Sequence, residues 1–349
     1  MKKVLLLPLV IALVALVMPT KATSQTTERK QYTVYGAAFY NLENLFDTIN
    51  ANGTYDLEFS PKGARQWNSQ KYWSKINNLA KCISHFVSDA TPNGPAFVGV
   101  AEIENKSVLE DLVNAQDLKK WHLQIVHHDS PDRRGVDVSL LYNPRLFRVI
   151  NVTNATLVVP DRPDLRTRDQ MCVTGMLGNE KVSVIVNHWP SRLGGQEASS
   201  YLREAAAARV KMTIDSLMND DPNQGVIIMG DLNDDPMDKS CAEVLGAKRK
   251  KELVEEGGLF NPWWDILAKG VGTLAYKGSW NLFDQIIISD YFLGDRDEGK
   301  LTYLRAQVHN FDFLTNAEHA PLRTYSAGAF LNGYSDHFPT EVFLVKRVK

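Results

Sequence analysis

Acids, amides and histidines follow or precede short apolar runs at six places in this sequence. In "GVIIMGDLNDDP", residues 225–236, an apolar and largely β-branched run ends at Asp231 and Asn233. The ends of strands and the loops beyond them are where α/β folds place much of their chemistry. The sequence therefore predicts that polar side chains from several strand ends meet at one site. The six sets are Asn41 with Glu43, Glu102 with Glu104, His188, Asp231 with Asn233, Asp284, and Asp336 with His337.

Carboxylate and amide oxygens dominate these sets, with two histidines and no cysteine among them. Such oxygen-rich donors favour Mg²⁺, Mn²⁺ or Ca²⁺. The sequence has no HExxH, no GxxxxGK[ST] and no GxSxG, which disfavours a zinc protease, a P-loop enzyme and a serine hydrolase of the elbow type. Acids, amides and histidines around a divalent cation instead suit in-line attack of water on phosphorus, with Mg²⁺ as the first choice of cofactor.

Two of the sets have the spacing of residues on one face of a strand. Positions i and i+2 of a strand point to the same side of the sheet. The spacing therefore predicts that Asn41 points the same way as Glu43, and that Asp231 points the same way as Asn233.

The pattern of apolar residues predicts the elements that carry these sets. Apolar residues recur at three- and four-residue spacing in two long segments, which predicts helices there. Shorter apolar runs predict strands, and 148–159 predicts either a strand pair or one long bent strand. The alternation indicates one α/β domain, with a sheet covered by helices on one face and by another sheet on the other. The predicted helices are 71–87 and 197–219, and the predicted strands include 96–105, 136–143, 181–192, 225–236, 281–289 and 340–347.

The N-terminus is typical of a secretory signal. Two lysines precede an apolar run of 15 residues, Val4–Met18, and Thr20–Ala22 offers a small-x-small cleavage site. The run is short for a membrane span, which needs about 20 residues, although an uncleaved anchor is the alternative. We expect a signal peptide at 1–22, a flexible segment at 23–32 and a single domain at 33–349. This predicts a secreted or periplasmic protein with no integral membrane span after cleavage.

Charge and cysteine content narrow the class of partner. Removal of 1–22 would leave 36 basic and 41 acidic residues, a formal charge of −5. A protein that holds long nucleic acid by charge alone is usually more basic. The three cysteines, Cys82, Cys172 and Cys241, have no CxxC spacing, and we expect buried apolar thiols. No protein partner is evident.

Taken in order, the motifs resemble those of the endonuclease/exonuclease/phosphatase superfamily, which includes the deoxyribonuclease I-like and exonuclease III-like enzymes. The resemblance extends over nearly the whole chain beyond the signal. It implies a four-layer α/β/β/α sandwich, in which two mixed β-sheets are flanked by helices, with the site at one edge of both sheets. The motifs that carry it are "NLE" at 41–43, "AEIEN" at 101–105, "NHWPSR" at 187–192, "GDLND" at 230–234, "FDQI" at 283–286 and "SDHFP" at 335–339.

The resemblance also implies a role for each matched residue. Asp231 would position or deprotonate the attacking water, and His337, oriented by Asp284, would bind the phosphate. Asn233 would hold Asp231 and the phosphate. The implied metal ligands are Glu102, Asn41, Glu43 and Asp336, and the implied substrate-binding residues are Arg134, Asn233 and His188, the last matching a second histidine of the deoxyribonuclease-like members.

The resulting prediction is a secreted, metal-dependent phosphoesterase, with a nuclease as the leading interpretation and nucleic acid or a nucleotide as substrate. One alternative is a lipid, sphingomyelin or inositol-phosphate phosphoesterase on the same fold. The other is a non-catalytic binding protein on that fold. Several polar or aromatic residues have ordinary structural interpretations and stay outside the predicted site: Glu104, His127, His128, Arg166, Arg168, Asp234, Asp235, Asp238 and the "NPWWD" segment at 261–265.

Overall fold

The computed structural model describes residues 31–49, 57–276 and 278–348, and two six-stranded sheets dominate them. Across the first sheet the strands are β13 (Thr302–Val308), β16 (Thr340–Arg347), β1 (Tyr32–Leu45), β2 (Phe97–Ile103), β4 (Asp137–Tyr142) and β3 (Gln124–His127). Across the second they are β5 (Phe147–Ala155), β6 (Gln170–Leu177), β7 (Glu180–His188), β8 (Gly225–Asp231), β12 (Asp284–Ser289) and β9 (Leu259–Phe260).

Four α-helices and two small hairpins accompany the sheets in the described part of the chain, together with five short 3-10 helices and one π-helical turn. One hairpin precedes β12 and the other precedes β16, so both lie close in sequence to residues of the predicted site. The helices are α1 (Ser69–Ser84), α2 (Lys106–Asn114), α3 (Gln196–Asp220) and α4 (Trp263–Ala268), and the hairpins are β10 (Leu274–Tyr276) with β11 (Ser279–Asn281) and β14 (Tyr325–Ser326) with β15 (Ala329–Phe330).

Both sheets are mixed. In the first, β1 runs parallel to β2, and in the second, β7 runs parallel to β8, while the other neighbours are antiparallel. Carboxyl ends of parallel neighbours lie at the same edge of a sheet. The ends of β1 and β2, and those of β7 and β8, are therefore brought together in pairs.

The alternation of side chains along β8 shows the layers. Ile227 and Met229 belong to the apolar cluster that also contains residues of the first sheet. Val226 and Ile228 belong to a separate cluster with residues of α3. The two sheets approach closely, since a Cβ placed on Gly99 of β2 would lie 2.5 Å from the sulfur of Met229. The second sheet is thus covered by the first on one face and by α3 on the other.

Helices α1 and α2 bury their apolar sides in the cluster that contains the first sheet. Both begin at an asparagine, Asn68 and Asn105, whose side chain accepts a hydrogen bond from a backbone N–H of the first turn. The expected four-layer α/β/β/α sandwich is confirmed, with two six-stranded mixed sheets and flanking helices.

The two predicted helices are confirmed within about three residues at each end, a normal scatter for helix boundaries. Segment 148–159 contains one strand with a bulge between Val149 and Asn151 rather than a strand pair. The strand predicted at 281–289 begins only at Asp284, and Asn281 pairs instead with Leu274 in the β10–β11 hairpin.

The predicted signal peptide at 1–22, and all of the 23–32 segment before residue 31, lie outside the described residues. Within the described part, none of the helices combines the length and the apolar character needed to cross a membrane. Cys82, Cys172 and Cys241 are buried free thiols, as expected.

Candidate active site

Strand register gathers the predicted residues at one end of the sandwich. In the second sheet, Asp231 is the register partner of both His188 and Asp284, so three polar residues lie side by side on β7, β8 and β12. Asn41 of the first sheet reaches across and donates its Nδ2–H to Oδ2 of Asp231 at 3.0 Å. The site is therefore built from both sheets.

His337 lies between two buried carboxylates. Its Nδ1 is 2.7 Å from Oδ2 of Asp284, and its Nε2 is 3.9 Å from Oδ2 of Asp231. Burial alone would lower the pKa of His337, but the charges of Asp284 and Asp231 raise it well above its ordinary value. The raised pKa favours the protonated imidazole at neutral pH, and its Nε2 lies 3.9 Å from carboxylate oxygens of both Asp231 and Asp336.

Asp231 is held by groups on both sides. Oδ1 accepts the backbone N–H of Asn233 at 3.0 Å, and Nε2 of His188 lies 3.6 Å from Oδ2. Burial raises the pKa of Asp231 to about 6, against the opposing charge of His337. A carboxylate with a pKa near neutrality can accept a proton and is still ionised at pH 7.

Glu102 occupies a strained position at a bulge in β2. Its φ is +62°, and the register with β4 shifts between Ala101 and Ile103. Oε2 accepts the backbone N–H of Asn44 at 3.0 Å, and Oε1 pairs with Nη1 of Arg134 at 2.9 Å. Burial would raise the pKa of Glu102, but Arg134 lowers it to about 2. Non-glycine residues with positive φ concentrate at functional sites, where surrounding contacts sustain the strain.

The regular strand alternation that the same-side prediction assumed is absent at Glu43 and Asn233, which both have positive φ. Glu43 has a φ of +51° at an irregular end of β1, and its Oε2 accepts the backbone N–H of Thr324 at 2.7 Å. The same oxygen lies 3.5 Å from Nζ of Lys75. Asn233 has a φ of +52° beyond the end of β8, and its Nδ2–H goes to the carbonyl of Trp189 at 3.0 Å. Positive φ is not a strand conformation, so regular alternation does not set the direction of either side chain.

Asp336 and His337 are held by a serine between them and the first sheet. Ser335 donates its hydroxyl to the carbonyl of Asn41 at 2.7 Å and accepts the backbone N–H of His337 at 3.1 Å. Oδ2 of Asp336 pairs with Arg323 at 2.7 Å. Burial would raise the pKa of Asp336, but His337 and Arg323 lower it.

The sequence reasoning missed several residues that hold this site. Ser335 could have been found, because it directly precedes the Asp336–His337 pair. Asn187, the first residue of "NHWPSR", is fully buried. It donates to the carbonyl of Met229 and accepts the indole N–H of Trp189. Lys75 and Arg323 carry no signal in the sequence, since one lies on an ordinary amphipathic helix and the other in a polar loop.

The residues left outside the predicted site are mostly structural. Trp263 of "NPWWD" is fully buried and donates to the carbonyl of Ile286, which is packing rather than base stacking. Glu104 is buried and accepts the backbone N–H of Asp47, so it is not solvated. Asp234 is buried against Arg203 at 2.6 Å and does not act as a simple turn residue.

The donors fit a hard divalent cation. The predicted ligands Glu102, Glu43 and Asp336 offer carboxylates and Asn41 offers an amide, which is the oxygen-rich type of donor such cations prefer. Donor atoms of Asp231, Asp284 and His337 lie within 4.8 Å of one another, and Oδ1 of Asp284 is buried with no hydrogen-bond partner in the described part of the chain. A buried carboxylate oxygen without a partner favours a bound cation or a polar ligand nearby.

Solved structures with the same fold are numerous. One is an endonuclease/exonuclease/phosphatase family protein from Bacteroides thetaiotaomicron, with 19% identity and a TM-score of 0.54, covering 91% of this chain and 100% of that one. ANGEL2, a 2′,3′-cyclic phosphatase, has 15% identity and a TM-score of 0.56, covering 92% and 99%. D. rerio TDP2 complexed with a single-strand DNA product has 12% identity and a TM-score of 0.52, covering 89% and 98%.

At these identities the structures show a shared fold and no more. No curated protein sequence matches the chain. A sequence model of the Endonuclease/Exonuclease/phosphatase family, however, matches residues 36–346, which include every residue of the site described above. This chain therefore belongs to the Endonuclease/Exonuclease/phosphatase family.

Proposed function

We propose that this protein is a divalent-metal-dependent phosphoesterase that hydrolyses phosphodiester bonds, and that its substrate is a nucleic acid or nucleotide. The observation that carries the proposal is the placement of His337, which is 2.7 Å from Asp284 and presents its other nitrogen toward Asp231 at 3.9 Å. A cationic imidazole beside a carboxylate of near-neutral pKa provides an anion-binding group and a proton acceptor at one point.

In this mechanism Asp231 orients the attacking water and takes its proton as the new P–O bond forms. The P–O ester bond opposite the water breaks, and the released alkoxide takes a proton from solvent water. The backbone N–H of Asn233 and the side-chain N–H of Asn41 hold the two oxygens of Asp231 in place. His337 donates its Nε2–H to a phosphate oxygen, where negative charge grows as the water attacks. Asp284 keeps that imidazole charged and fixes its orientation.

Glu102, Asn41, Glu43 and Asp336 are the residues that would hold the metal, with Mg²⁺ or Mn²⁺ the best match to the donors. When bound, such a cation neutralises phosphate charge and polarises the bond that is broken. Arg134 pairs with Glu102 and its side chain remains 28% exposed, so it can also contact a phosphate oxygen. His188 is buried beside Asp231, with its Nε2 3.6 Å from Oδ2 of Asp231.

Two similarities support a nucleic-acid substrate. The fold is shared with a TDP2 that was solved with a single-strand DNA product and with a 2′,3′-cyclic phosphatase. His188 resembles the second histidine of deoxyribonuclease-like enzymes. Because the net charge is negative, we propose short or single-stranded nucleic acid rather than long duplex DNA.

The test is hydrolysis by the chain from Thr23 onward, with Mg²⁺, Mn²⁺, Ca²⁺ or EDTA. Substrates are plasmid DNA, single-stranded DNA, RNA, bis-p-nitrophenyl phosphate, p-nitrophenyl phosphate and sphingomyelin. We expect metal-dependent cleavage of nucleic acid and of the diester, lost in His337→Ala and retained in His319→Asn, which changes an exposed histidine.

Each other outcome has a definite meaning. Cleavage of sphingomyelin alone would replace the nuclease with a lipid phosphoesterase. Cleavage of the monoester alone would replace it with a phosphatase. Absence of turnover with every substrate and metal would contradict the enzyme proposal and favour a binding protein on the same fold.

We also propose that residues 1–22 are a signal peptide and that the protein is secreted or periplasmic. The support is the short apolar run after two lysines and the small residues at Thr20 and Ala22. N-terminal sequencing after expression in a Gram-negative host should give Thr23 in the soluble exported fraction. Recovery of the intact N-terminus in the membrane fraction would contradict cleavage and favour an anchor.

A further inference from the structure

A buried ion pair joins the loops of the two sheets beside the candidate active site. Arg168 lies just before β6 of the second sheet, and Asp132 lies in the loop between β3 and β4 of the first. Nη1 of Arg168 is 3.2 Å from Oδ1 of Asp132, and the two side chains are only 7% and 3% exposed. Removing two charges from water is costly unless hydrogen bonds compensate, so the other partners of both residues matter.

Arg168 holds the end of β7. Its Nε–H goes to the carbonyl of His188 at 3.1 Å, and its Nη2–H goes to the carbonyl of Trp189 at 2.6 Å. The carbonyl of Trp189 also accepts the side-chain N–H of Asn233 at 3.0 Å. One guanidinium therefore fixes the backbone that carries His188 and the carbonyl against which Asn233 is placed.

Asp132 holds the turn that carries Arg134. Its Oδ2 accepts the backbone N–H of Arg134 at 2.9 Å and that of Val136 at 3.4 Å. Arg134 in turn pairs with Glu102 at 2.9 Å. Each oxygen of this carboxylate thus has a separate task, one toward Arg168 and the other toward the Arg134 turn.

We propose that Asp132 and Arg168 are a positioning pair that sets Arg134 and Glu102 of the first sheet against His188 and Asn233 of the second. The inference rests on the proposed function and deepens it, since both residues act through the groups that they hold in place. Planar guanidinium geometry is required: three N–H groups go to three acceptors on two different chain segments. Lysine has the charge but cannot reproduce that fork.

A purely structural pair would behave differently from a positioning pair. Loss of a structural pair would lower thermal stability and leave the turnover of the folded fraction unchanged. A displacement of about 1 Å in a catalytic group can cost about 100-fold in rate. A positioning pair should therefore change kcat while the variant remains folded.

The experiment compares Arg168→Lys, Asp132→Asn and the double variant on bis-p-nitrophenyl phosphate, with wild type. The matched control is Arg166→Lys, which alters an arginine of the same segment whose hydrogen bonds, within the described residues, go to the backbone carbonyls of Pro163 and Leu165. We expect kcat to fall about 10- to 100-fold in each single variant, with KM changed less than about 3-fold. The double variant should be no slower than the worse single variant, since both remove one unit.

Unchanged kcat in folded Arg168→Lys, or losses that multiply in the double variant, would overturn the inference. Crystal structures of Asp132→Asn and Arg168→Lys provide a second test that needs no activity. We expect the Arg134–Glu102 contact to be lost or lengthened in them, and an unaltered contact would overturn the inference as well. If wild type hydrolyses nothing, the proposed function fails while the structural test still decides the positioning role.

Discussion

The Nδ1 atom of His337 lies 2.7 Å from Oδ2 of Asp284, and both side chains are buried. Asp284 is the first residue of β12, while His337 lies in the loop before β16 of the other sheet. The contact therefore depends on the closure of the two sheets over one another. It sets the charge of the group that we assign to phosphate binding.

Asp284→Asn should lower the pKa of His337 toward its ordinary value, because the amide removes the principal charge that raises it. A raised pKa in the folded state contributes stability below the unfolded value of 6.5, and this stability is lost as pH rises through the folded pKa. The proposed phosphate contact needs a charged His337. With the pKa of His337 lowered, the variant should lose activity at a lower pH than wild type on the alkaline side. Imidazole ¹⁵N shifts measured against pH check the pKa directly, and an unshifted His337 titration would contradict the assignment.

Asp231→Asn should reduce kcat by at least about 100-fold, because the amide cannot take a proton from water. Its thermal stability at pH 7 should be equal to or above that of wild type. Burial raises the pKa of Asp231 to about 6, so the carboxylate is ionised at pH 7 at a cost in folding stability that a neutral amide does not carry.

Asp129→Asn is the matched control for this change, since the Asp129 side chain is 87% exposed. Steady-state kinetics and thermal melts of wild type, Asp231→Asn and Asp129→Asn measure both the turnover and the stability. Turnover by Asp231→Asn within a few-fold of wild type would exclude Asp231 as the base.

Glu102→Gln should weaken Mn²⁺ binding at least about 10-fold, because a charged ligand becomes neutral. In wild type, saturating Mn²⁺ should raise the melting temperature, since the cation binds the folded state only. Glu102→Gln should show little of this rise, whereas Glu110→Gln, at an exposed position of α2, should match wild type. Equal Mn²⁺ affinity of Glu102→Gln and Glu110→Gln would exclude Glu102 as a metal ligand.

In the metal-free protein, Glu102 should also contribute to stability against acid. Its pKa is lowered to about 2, so its stabilising effect is present above the unfolded value of 4.5 and is lost as pH falls toward 2. The difference in unfolding free energy between wild type and Glu102→Gln should shrink over that range. Urea titrations at pH 6 and pH 3 measure it, and a difference that is the same at both would refute the Arg134–Glu102 ion pair.

Lys75→Met should lower the free energy of unfolding by about 3–5 kcal/mol, because it leaves the buried Glu43 carboxylate without its cation. Nζ of Lys75 also donates to Thr324 and to the carbonyl of Tyr334, both at 2.6 Å. Combining Lys75→Met with Glu43→Gln should recover part of the loss. Lys106→Met, at a 60% exposed side chain, should stay within about 0.5 kcal/mol of wild type in the same denaturant titration.

Much of the fold was accessible from the sequence by itself. Apolar periodicity is local, because a side chain two or four residues along is placed by backbone geometry alone. It located α1, α3 and the apolar strands, and the polar ends of those strands indicated where the chemistry would gather. The order of motifs from Asn41 to Pro339 indicated the family, which the matched range 36–346 bears out.

Only the tertiary structure decided how the polar groups are paired. The turns of Glu43 and Asn233 away from strand alternation follow from positive φ, which surrounding contacts sustain and no residue pattern encodes. Arg168 and Asp132 are 36 residues apart in ordinary charged loops, and they meet because the two sheets close over one core. Partners of buried charges depend on which loops are packed together, and that is a property of the folded chain.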